Sequence, residues 1–250
     1  MNTSEKALLL HEEWQGKIST ESKCKINTRE ALALAYTPGV AEPCKEIAKD
    51  KELAYKYTLK ANTVAVISDG SAVLGLGNIG PYAAMPVMEG KAALFKEFGG
   101  VNAFPICLDT QDTEEIIETI VRIAPAFGGI NLEDISAPRC FEIEERLKQI
   151  LDIPVFHDDQ HGTAIVVAAA VLTALKVVGK KLSDIRITMS GAGAAGISIA
   201  KHLINMGADP KKMLMCDIHG ILCDGDEKLN PAQAAMAKIT NADISETNKE

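Results

Sequence analysis

The sequence predicts an α/β fold whose amino-terminal part is built on a parallel sheet. Short apolar, β-branched segments alternate with longer segments of helical periodicity, which is typical of parallel strands covered by helices. Residues 1–60 are predicted to be helical and irregular, with a sharp break after Tyr36. The predicted strands are 63–68, 102–108, 129–132 and 153–156, and the predicted helices are 86–98, 113–124, 140–150 and 163–178.

Composition and charge indicate an ordinary globular protein. Apolar residues make up 47% of the 250 residues and charged residues 24%, a balance that supports a sizeable packed core. The formal net charge is -8 and the pI is about 5.3, which argues against nucleic acid or an anionic membrane as the main partner. We therefore expect a small-molecule substrate.

The amino-terminal residues, the apolar runs and the cysteines indicate in which cellular compartment the protein is expected. The first residues, MNTSEKALLLHEEWQGK, are neither a signal peptide nor a transit peptide. The longest apolar run, 164–175, is short for a membrane span and predicts a buried helix. The six cysteines include no C-x-x-C pair, which favours reduced thiols, and Cys216, His219 and Cys223 are interpreted as strand and loop residues rather than a zinc knuckle. We expect a cytoplasmic protein that forms a homodimer or a higher homo-oligomer.

Acidic residues follow each predicted strand of the amino-terminal part directly. Because the carboxyl ends of parallel strands lie at one edge of a sheet, these carboxylates should converge although they are distant in sequence. One aspartate after a strand is more often a helix cap or a turn residue, but four acidic strand ends favour a site for a hard divalent cation, Mg²⁺ or Mn²⁺. The residues are Asp69, Asp109, Glu133, Asp134, Asp158 and Asp159.

The stretch FHDDQHGTA (156–164) superficially resembles a zinc-protease motif, because two histidines are four residues apart. That motif requires both histidines on one face of a continuous helix. Here a β-like run that includes Pro154 precedes His157, and Gly162 follows His161, so the segment is predicted to be a strand end that turns into a helix. We therefore interpret the histidines as capping or supporting residues and expect the aspartates to matter for the site.

A glycine-rich loop follows a fifth predicted strand, 184–189, and precedes an amphipathic helix, 197–206. A further predicted strand, 212–216, ends in Asp217, so strand, loop, helix, strand and acid stand in the order of the dinucleotide-binding fingerprint. The sequence thus predicts the start of a Rossmann-type dinucleotide-binding domain, with residues 1–160 forming the amino-terminal domain and 161–250 the incomplete second domain. The predicted cofactor-binding residues are Gly191, Ala192, Gly193, Ala194, Ala195, Gly196 and Asp217.

These segments resemble the malic enzyme family in its short bacterial form. The similarity is carried by AYTPGVAEP (35–43), SDGSAVLGLGNIGPYAAMPVMEGKAALFK (68–96), NLEDISAP (131–138), FHDDQHGTA and SGAGAAG (190–196). The resemblance implies oxidative decarboxylation of L-malate to pyruvate and CO₂ with a divalent metal. By the resemblance, Tyr36 matches the general acid, Lys91 the general base, Asp158 the residue that orients the lysine, and Glu133, Asp134 and Asp159 the three metal ligands.

Cofactor choice and two departures from the family pattern qualify this expectation. Asp217 would accept hydrogen bonds from ribose hydroxyls and repel a 2′-phosphate, which favours NAD, with NADP as the alternative. Ala72 stands where larger members carry an arginine that clamps the substrate. The chain ends at Glu250, whereas family members continue, so the sequence is expected to be a carboxy-terminally truncated form. The alternatives are a malolactic-type enzyme and a catalytically silent fragment that only binds or dimerises.

Overall fold

The computed structural model describes residues 2–73 and 75–240. The strands are β1 (Thr63–Ser68), β2 (Asn102–Cys107), β3 (Gly129–Leu132), β4 (Val155–His157), β5 (Ile187–Ser190), β6 (Met213–Asp217) and β7 (Gly220–Ile221). The helices are α1 (Thr3–Trp14), α2 (Arg29–Ala35), α3 (Ala41–Lys49), α4 (Ala54–Tyr57), α5 (Gly80–Gly99), α6 (Thr113–Ile123), α7 (Arg139–Ile150), α8 (Asp158–Val178), α9 (Ala194–Asn205) and α10 (Pro231–Ala237).

Two sheets organise the chain, and they confirm the predicted α/β class. The first has the strand order β2-β1-β3-β4, and β1 pairs with β2 in parallel from Thr63 opposite Asn102 to Ser68 opposite Cys107. The second has the order β5-β6-β7, in which β5 and β6 are parallel and β7 returns antiparallel. A two-residue strand such as β7 carries too little pattern to be predicted.

Some predicted boundaries were wrong for local reasons. The strand predicted from residue 184 begins at Ile187, because Leu182–Asp184 form a 3₁₀ turn. The helix predicted from Pro86 begins six residues earlier, at Gly80, with a proline at its first turn and Pro86 inside it. Proline favours a helix start, but an interior proline is tolerated at the loss of one backbone hydrogen bond. Lys17 Nζ donates to the Pro86 carbonyl, 2.8 Å away.

Helix α8 also differs from its prediction. It begins at Asp158, directly after the strand, rather than at residue 163. Two aspartates in its first turn suit the positive end of the helix dipole, and Gly162 does not interrupt it. The helix is not buried throughout: Val166 is 63% exposed and Val177 82%. By length and composition alone α8 could cross a membrane, a criterion that helices of soluble proteins also meet.

Each of two compact units has its own apolar core. The first comprises the residues up to 131 together with 146–155, and the second comprises 132–145 together with the residues from 156 onward. In the first, Val66 of the sheet packs with Met88 and Ala92 of α5. The second core includes Ile197, Ala200 and Leu203 of α9 and Met213 and Met215 of β6. The predicted domain division, 1–160 and 161–250, stays a prediction.

Candidate functional site

Three carboxylates come together in the second unit. Glu133 and Asp134 directly follow β3, and Asp159 lies in the first turn of α8, immediately after β4. One oxygen of each lies within 4.8 Å of the other two. Glu133 and Asp134 are buried, with 6% and 4% of their surface exposed, whereas Asp159 is half-buried. Residues 25 positions apart in sequence therefore face one small volume.

The backbone at Asp134 is adapted to this arrangement. Asp134 has φ +53°, in the left-handed region that aspartate tolerates better than most residues. Its backbone N–H donates to Asp159 Oδ2 over 3.1 Å. This bond links the end of β3 to the start of α8 and fixes one oxygen of the Asp159 carboxylate. The geometry of the cluster thus depends on main chain as well as side chains.

The donor set fits a hard divalent cation. Three like charges this close, two of them buried, repel one another unless a positive charge compensates. Carboxylate oxygens are the ligands that Mg²⁺ and Mn²⁺ prefer, and a half-buried third ligand leaves one side for water or a substrate oxygen. Within residues 2–73 and 75–240, no other group of three or more histidine, cysteine, aspartate or glutamate side chains is close enough for a metal ion. The zinc-knuckle alternative around His219 therefore has no geometric support.

The other acidic strand ends do not join the cluster. Asp69 follows β1 and is 1% exposed, and its Oδ1 accepts hydrogen bonds from the Ser71 backbone N–H and hydroxyl, as in an ordinary turn. Asp109, after β2, is exposed. The expectation that all four strand ends converge was therefore wrong for Asp109, because β2 is at the opposite edge of the sheet from β4.

The predicted base, acid and lysine-orienting residue lie on three different elements. Lys91 is half-buried on α5, and Tyr36 caps the end of α2 with 66% of its surface exposed. Asp158 is the first residue of α8 and is half-buried. Its carboxylate lies over Gly162, where a Cβ would come within 2.6 Å of Asp158 Oδ1. Lys91 and Tyr36 belong to the first unit and Asp158 to the second, and their catalytic roles stay predictions.

The two histidines do not form a helical pair of ligands. His157 ends β4 and is fully buried, whereas His161 lies one turn into α8. Burial lowers the pKa of the His157 imidazole, against the opposing influence of the Asp159 and Glu144 carboxylates. His161 Nε2 lies 2.8 Å from the carboxylate of Glu144, which also accepts the His157 backbone N–H. The contact with Glu144 fits the predicted supporting role of His161, whereas the His157 side chain forms no cap hydrogen bond and its role stays a prediction.

Sequence reasoning missed Glu144, although a signal was present. Helix α7 buries Cys140, Ile143 and Leu147, each with 0% of its surface exposed, and these positions define an apolar stripe. Glu144 falls on the same stripe and is 5% exposed. A glutamate at a core position of an amphipathic helix is unusual unless it has a buried partner. Beside it, burial raises the pKa of the Cys140 thiol to about 12.

The glycine loop forms the predicted strand–loop–helix turn. Gly191 has φ +116°, and α9 starts at Ala194. A Cβ at Gly196 would lie 2.1 Å from the Gly191 carbonyl oxygen, so only glycine allows the helix to pack this closely on the loop. The loop borders a groove of about 580 Å³, whose lining also includes Val167, Ile187 and Ile199.

Asp217 ends β6, where the fingerprint places the acid that binds ribose. Its Oδ1 accepts the His219 backbone N–H over 2.7 Å. Its Oδ2 accepts from Gln233 Nε2 over 3.3 Å, and the same amide nitrogen donates to the Ala192 carbonyl over 3.3 Å. Gln233, on α10, was not predicted. It ties the acid to the glycine loop, so the two parts of the dinucleotide fingerprint are held together.

Comparisons with known proteins cover nearly the whole chain. Residues 15–148 match the family described as malic enzyme, N-terminal domain, and residues 160–249 match malic enzyme, NAD binding domain. The chain is 60% identical to the NAD-dependent malic enzyme of Geobacillus stearothermophilus over 97% of its own length and 50% of that protein. It is 54% identical to the bifunctional malic/malolactic enzyme of Bacillus subtilis, over 97% of its own length and 59% of that protein.

A solved structure shows the same fold. The crystal structure of malic enzyme from Pyrococcus horikoshii superimposes with a TM-score of 0.91 at 53% identity, covering 97% of this chain and 58% of that one. The chain thus spans between half and three fifths of the length of the proteins it matches here.

Proposed function

The chain belongs to the malic enzyme family, and from this premise we propose that it carries the metal site and the start of the cofactor site for oxidative decarboxylation of L-malate to pyruvate and CO₂. The observation that carries the proposal is the convergence of Glu133, Asp134 and Asp159 within 4.8 Å. An acidic protein needs a local positive charge to bind a dicarboxylate substrate, and a metal ion held by these residues would provide it.

We propose that Glu133, Asp134 and Asp159 hold Mg²⁺ or Mn²⁺, with substrate oxygens and water completing the shell. When bound, the metal would supply Lewis-acid polarisation of the substrate oxygens, and NAD would supply the hydride acceptor. The half-buried Asp159 supports this assignment, because it leaves the cluster accessible from one side. The hydrogen bond from the Asp134 backbone N–H holds one oxygen of the Asp159 carboxylate beside the other two ligands.

Three side chains are proposed to move or guide protons. Lys91, in its neutral form, takes the proton of the C2 hydroxyl as C2 is oxidised. Asp158 is proposed to orient the lysine, and its carboxylate lies over Gly162. Tyr36 donates a proton to C3 of the enolate that remains after CO₂ leaves. The assignments of Lys91 and Tyr36 rest on the family match at their positions, and that of Asp158 rests on the resemblance of the stretch FHDDQHGTA.

NAD is the proposed cofactor, with NADP as the alternative. The backbone of 191–196 would face the pyrophosphate at the start of α9, where free N–H groups and the helix dipole favour an anion. Asp217 would accept the ribose hydroxyls and repel a 2′-phosphate. Its carboxylate is held by two hydrogen bonds, which supports a fixed role in ribose recognition.

A malolactic conversion is the second candidate, because a relative 54% identical to this chain is named a bifunctional malic/malolactic enzyme. The same site would serve both reactions up to the loss of CO₂. Net NADH formation separates them, because malolactic conversion returns the hydride and accumulates no NADH.

We also propose that the protein self-associates as a homodimer or a higher homo-oligomer. Helix α1 buries none of its residues, and Leu8 is 75% exposed and Trp14 49%. Exposed apolar side chains on a helix with no buried residue are stabilised when an oligomer covers them.

The metal assignment is tested by titrating Mn²⁺ into the chain and into Asp159→Asn. We expect at least a tenfold loss of affinity in the variant, since one anionic ligand is removed. Asp109→Asn is the matched control, because Asp109 also follows a strand but is exposed and outside the cluster. Equal affinities for all three proteins would remove the metal assignment.

The reaction is tested by following NADH and pyruvate separately with L-malate and Mn²⁺. Lys91→Ala is expected to abolish both products, and Tyr36→Phe to slow enolate protonation more than malate oxidation. Formation of lactate without net NADH would favour the malolactic alternative. Turnover of Lys91→Ala at the parent rate would exclude the lysine as the base.

A further inference from the structure

Glu144 joins α7 to the beginning of α8 through two hydrogen bonds. Its carboxylate accepts the His157 backbone N–H over 3.1 Å and lies 2.8 Å from His161 Nε2. The glutamate is 5% exposed on the apolar stripe of α7. A buried carboxylate is costly unless hydrogen bonds compensate, so these contacts explain why a charged residue occupies a core position.

The two bonds bracket the residues that matter most for the site. His157 is the N-cap of α8 and His161 lies one turn further, so Asp158 and Asp159 lie between the two points that Glu144 holds. The bond to His161 requires a proton on Nε2, which sets the tautomer or charge state of that ring. The His161 ring also packs against Phe156, with ring centroids 5.5 Å apart.

We propose that Glu144 is a positioning residue for the metal site: it fixes the first turn of α8 so that Asp159 meets Glu133 and Asp134 before the metal binds. This inference rests on the proposed metal site. Glu144 itself is not one of the three clustered carboxylates, so it acts through the backbone and His161 rather than as a ligand. Residues that orient metal ligands commonly change metal affinity by about 10- to 100-fold when they are removed.

The experiment compares Mn²⁺ affinity of the 250-residue chain with that of Glu144→Ala, Glu144→Gln and Glu145→Ala, together with thermal unfolding in EDTA. Glu145→Ala is the matched control, because it removes the same charge from an exposed position on the same helix. We expect Glu144→Ala to bind Mn²⁺ about 10- to 100-fold more weakly and Glu145→Ala to bind it as the parent does.

Glu144→Gln separates geometry from charge. Its amide oxygen can accept the His157 N–H and its NH₂ can donate to the other tautomer of His161, so the link is kept and affinity should stay within about threefold of the parent. Equal losses in Glu144→Gln and Glu144→Ala would mean that charge matters rather than position, and parent affinity in Glu144→Ala would also overturn the inference.

A second, milder variant tests the inference if Glu144→Ala does not fold. His161→Leu removes the hydrogen bond from the half-buried His161 to Glu144 and leaves the bond from the His157 backbone, so it is expected to lose affinity in the same direction, by a smaller factor. Parent affinity in a folded His161→Leu would then count against the inference. If the parent chain itself binds no Mn²⁺ while it is folded, the proposed metal site fails, and the role of Glu144 fails with it.

Discussion

Replacing Gly196 with alanine should distort the glycine loop and lower the free energy of unfolding, by an amount that the structure allows us to estimate. The new Cβ would lie 2.1 Å from the Gly191 carbonyl oxygen and 3.1 Å from its carbon, whereas real Cβ contacts essentially never fall under 3.0 Å. The loop and α9 must therefore separate by about 1 Å. Ile197 and Leu203 anchor α9 in the core with 1% and 2% exposure, so the helix cannot move freely.

The cost of such overpacking is about 1–3 kcal/mol of unfolding free energy. Gly193→Ala is the matched control in the same loop, because Gly193 has φ -81° and a Cβ there would meet nothing within 4 Å. We expect it to retain the parent stability, or to gain up to about 1 kcal/mol from the smaller entropy of its unfolded state. It should nevertheless weaken NAD binding, because its methyl group would stand where the pyrophosphate approaches the backbone.

The assay is urea unfolding of the three proteins, followed by calorimetric titration with NAD. The expected pattern is loss of stability in Gly196→Ala and loss of affinity without loss of stability in Gly193→Ala. A Gly196→Ala protein as stable as the parent would refute the steric reasoning. If the parent binds NAD and Gly193→Ala binds it equally tightly, the proposed placement of the pyrophosphate is wrong.

Two further predictions concern α8 and the buried thiol. Gly162→Ala should slow malate oxidation, because the new Cβ would lie 2.6 Å from the Asp158 carboxylate and displace it. Thermal stability should stay equal or rise, because alanine favours the helix over glycine by about 1 kcal/mol. An undiminished rate at equal stability would show that the position of Asp158 is unimportant. Burial raises the Cys140 pKa from 9.0 to about 12, so the unfolded thiol ionises first and unfolding free energy should fall as pH rises from 9.0 towards about 12. Cys140→Ala should reduce the dependence of unfolding free energy on pH in this range. In the folded protein, iodoacetamide should label the exposed Cys24 but not Cys140. Rapid labelling of Cys140 would contradict its burial.

Local patterns in the sequence were enough to predict the strands β1 to β6, though not every boundary, and the acidic residues that follow the first four. The β-branched run TVAVIS is the strand Thr63–Ser68 because alternating small and branched side chains suit a pleated, buried surface. The glycine loop was predictable for a similar reason. Gly191, at φ +116°, and Gly196, against a carbonyl oxygen, occupy positions that other residues cannot take, so the spacing of the glycines itself carries the structure.

Only the tertiary structure decided which acids share a site. The order β2-β1-β3-β4 puts β3 beside β4, so Glu133 and Asp134 meet Asp159, while Asp109 after β2 stays apart and exposed. Strand order depends on how crossover connections pack, and no local pattern encodes it. Glu144 has the same status, because its partners, His157 and His161, come from another segment. A buried carboxylate is explained by what surrounds it in space, and its neighbours in sequence show only that it needs a partner.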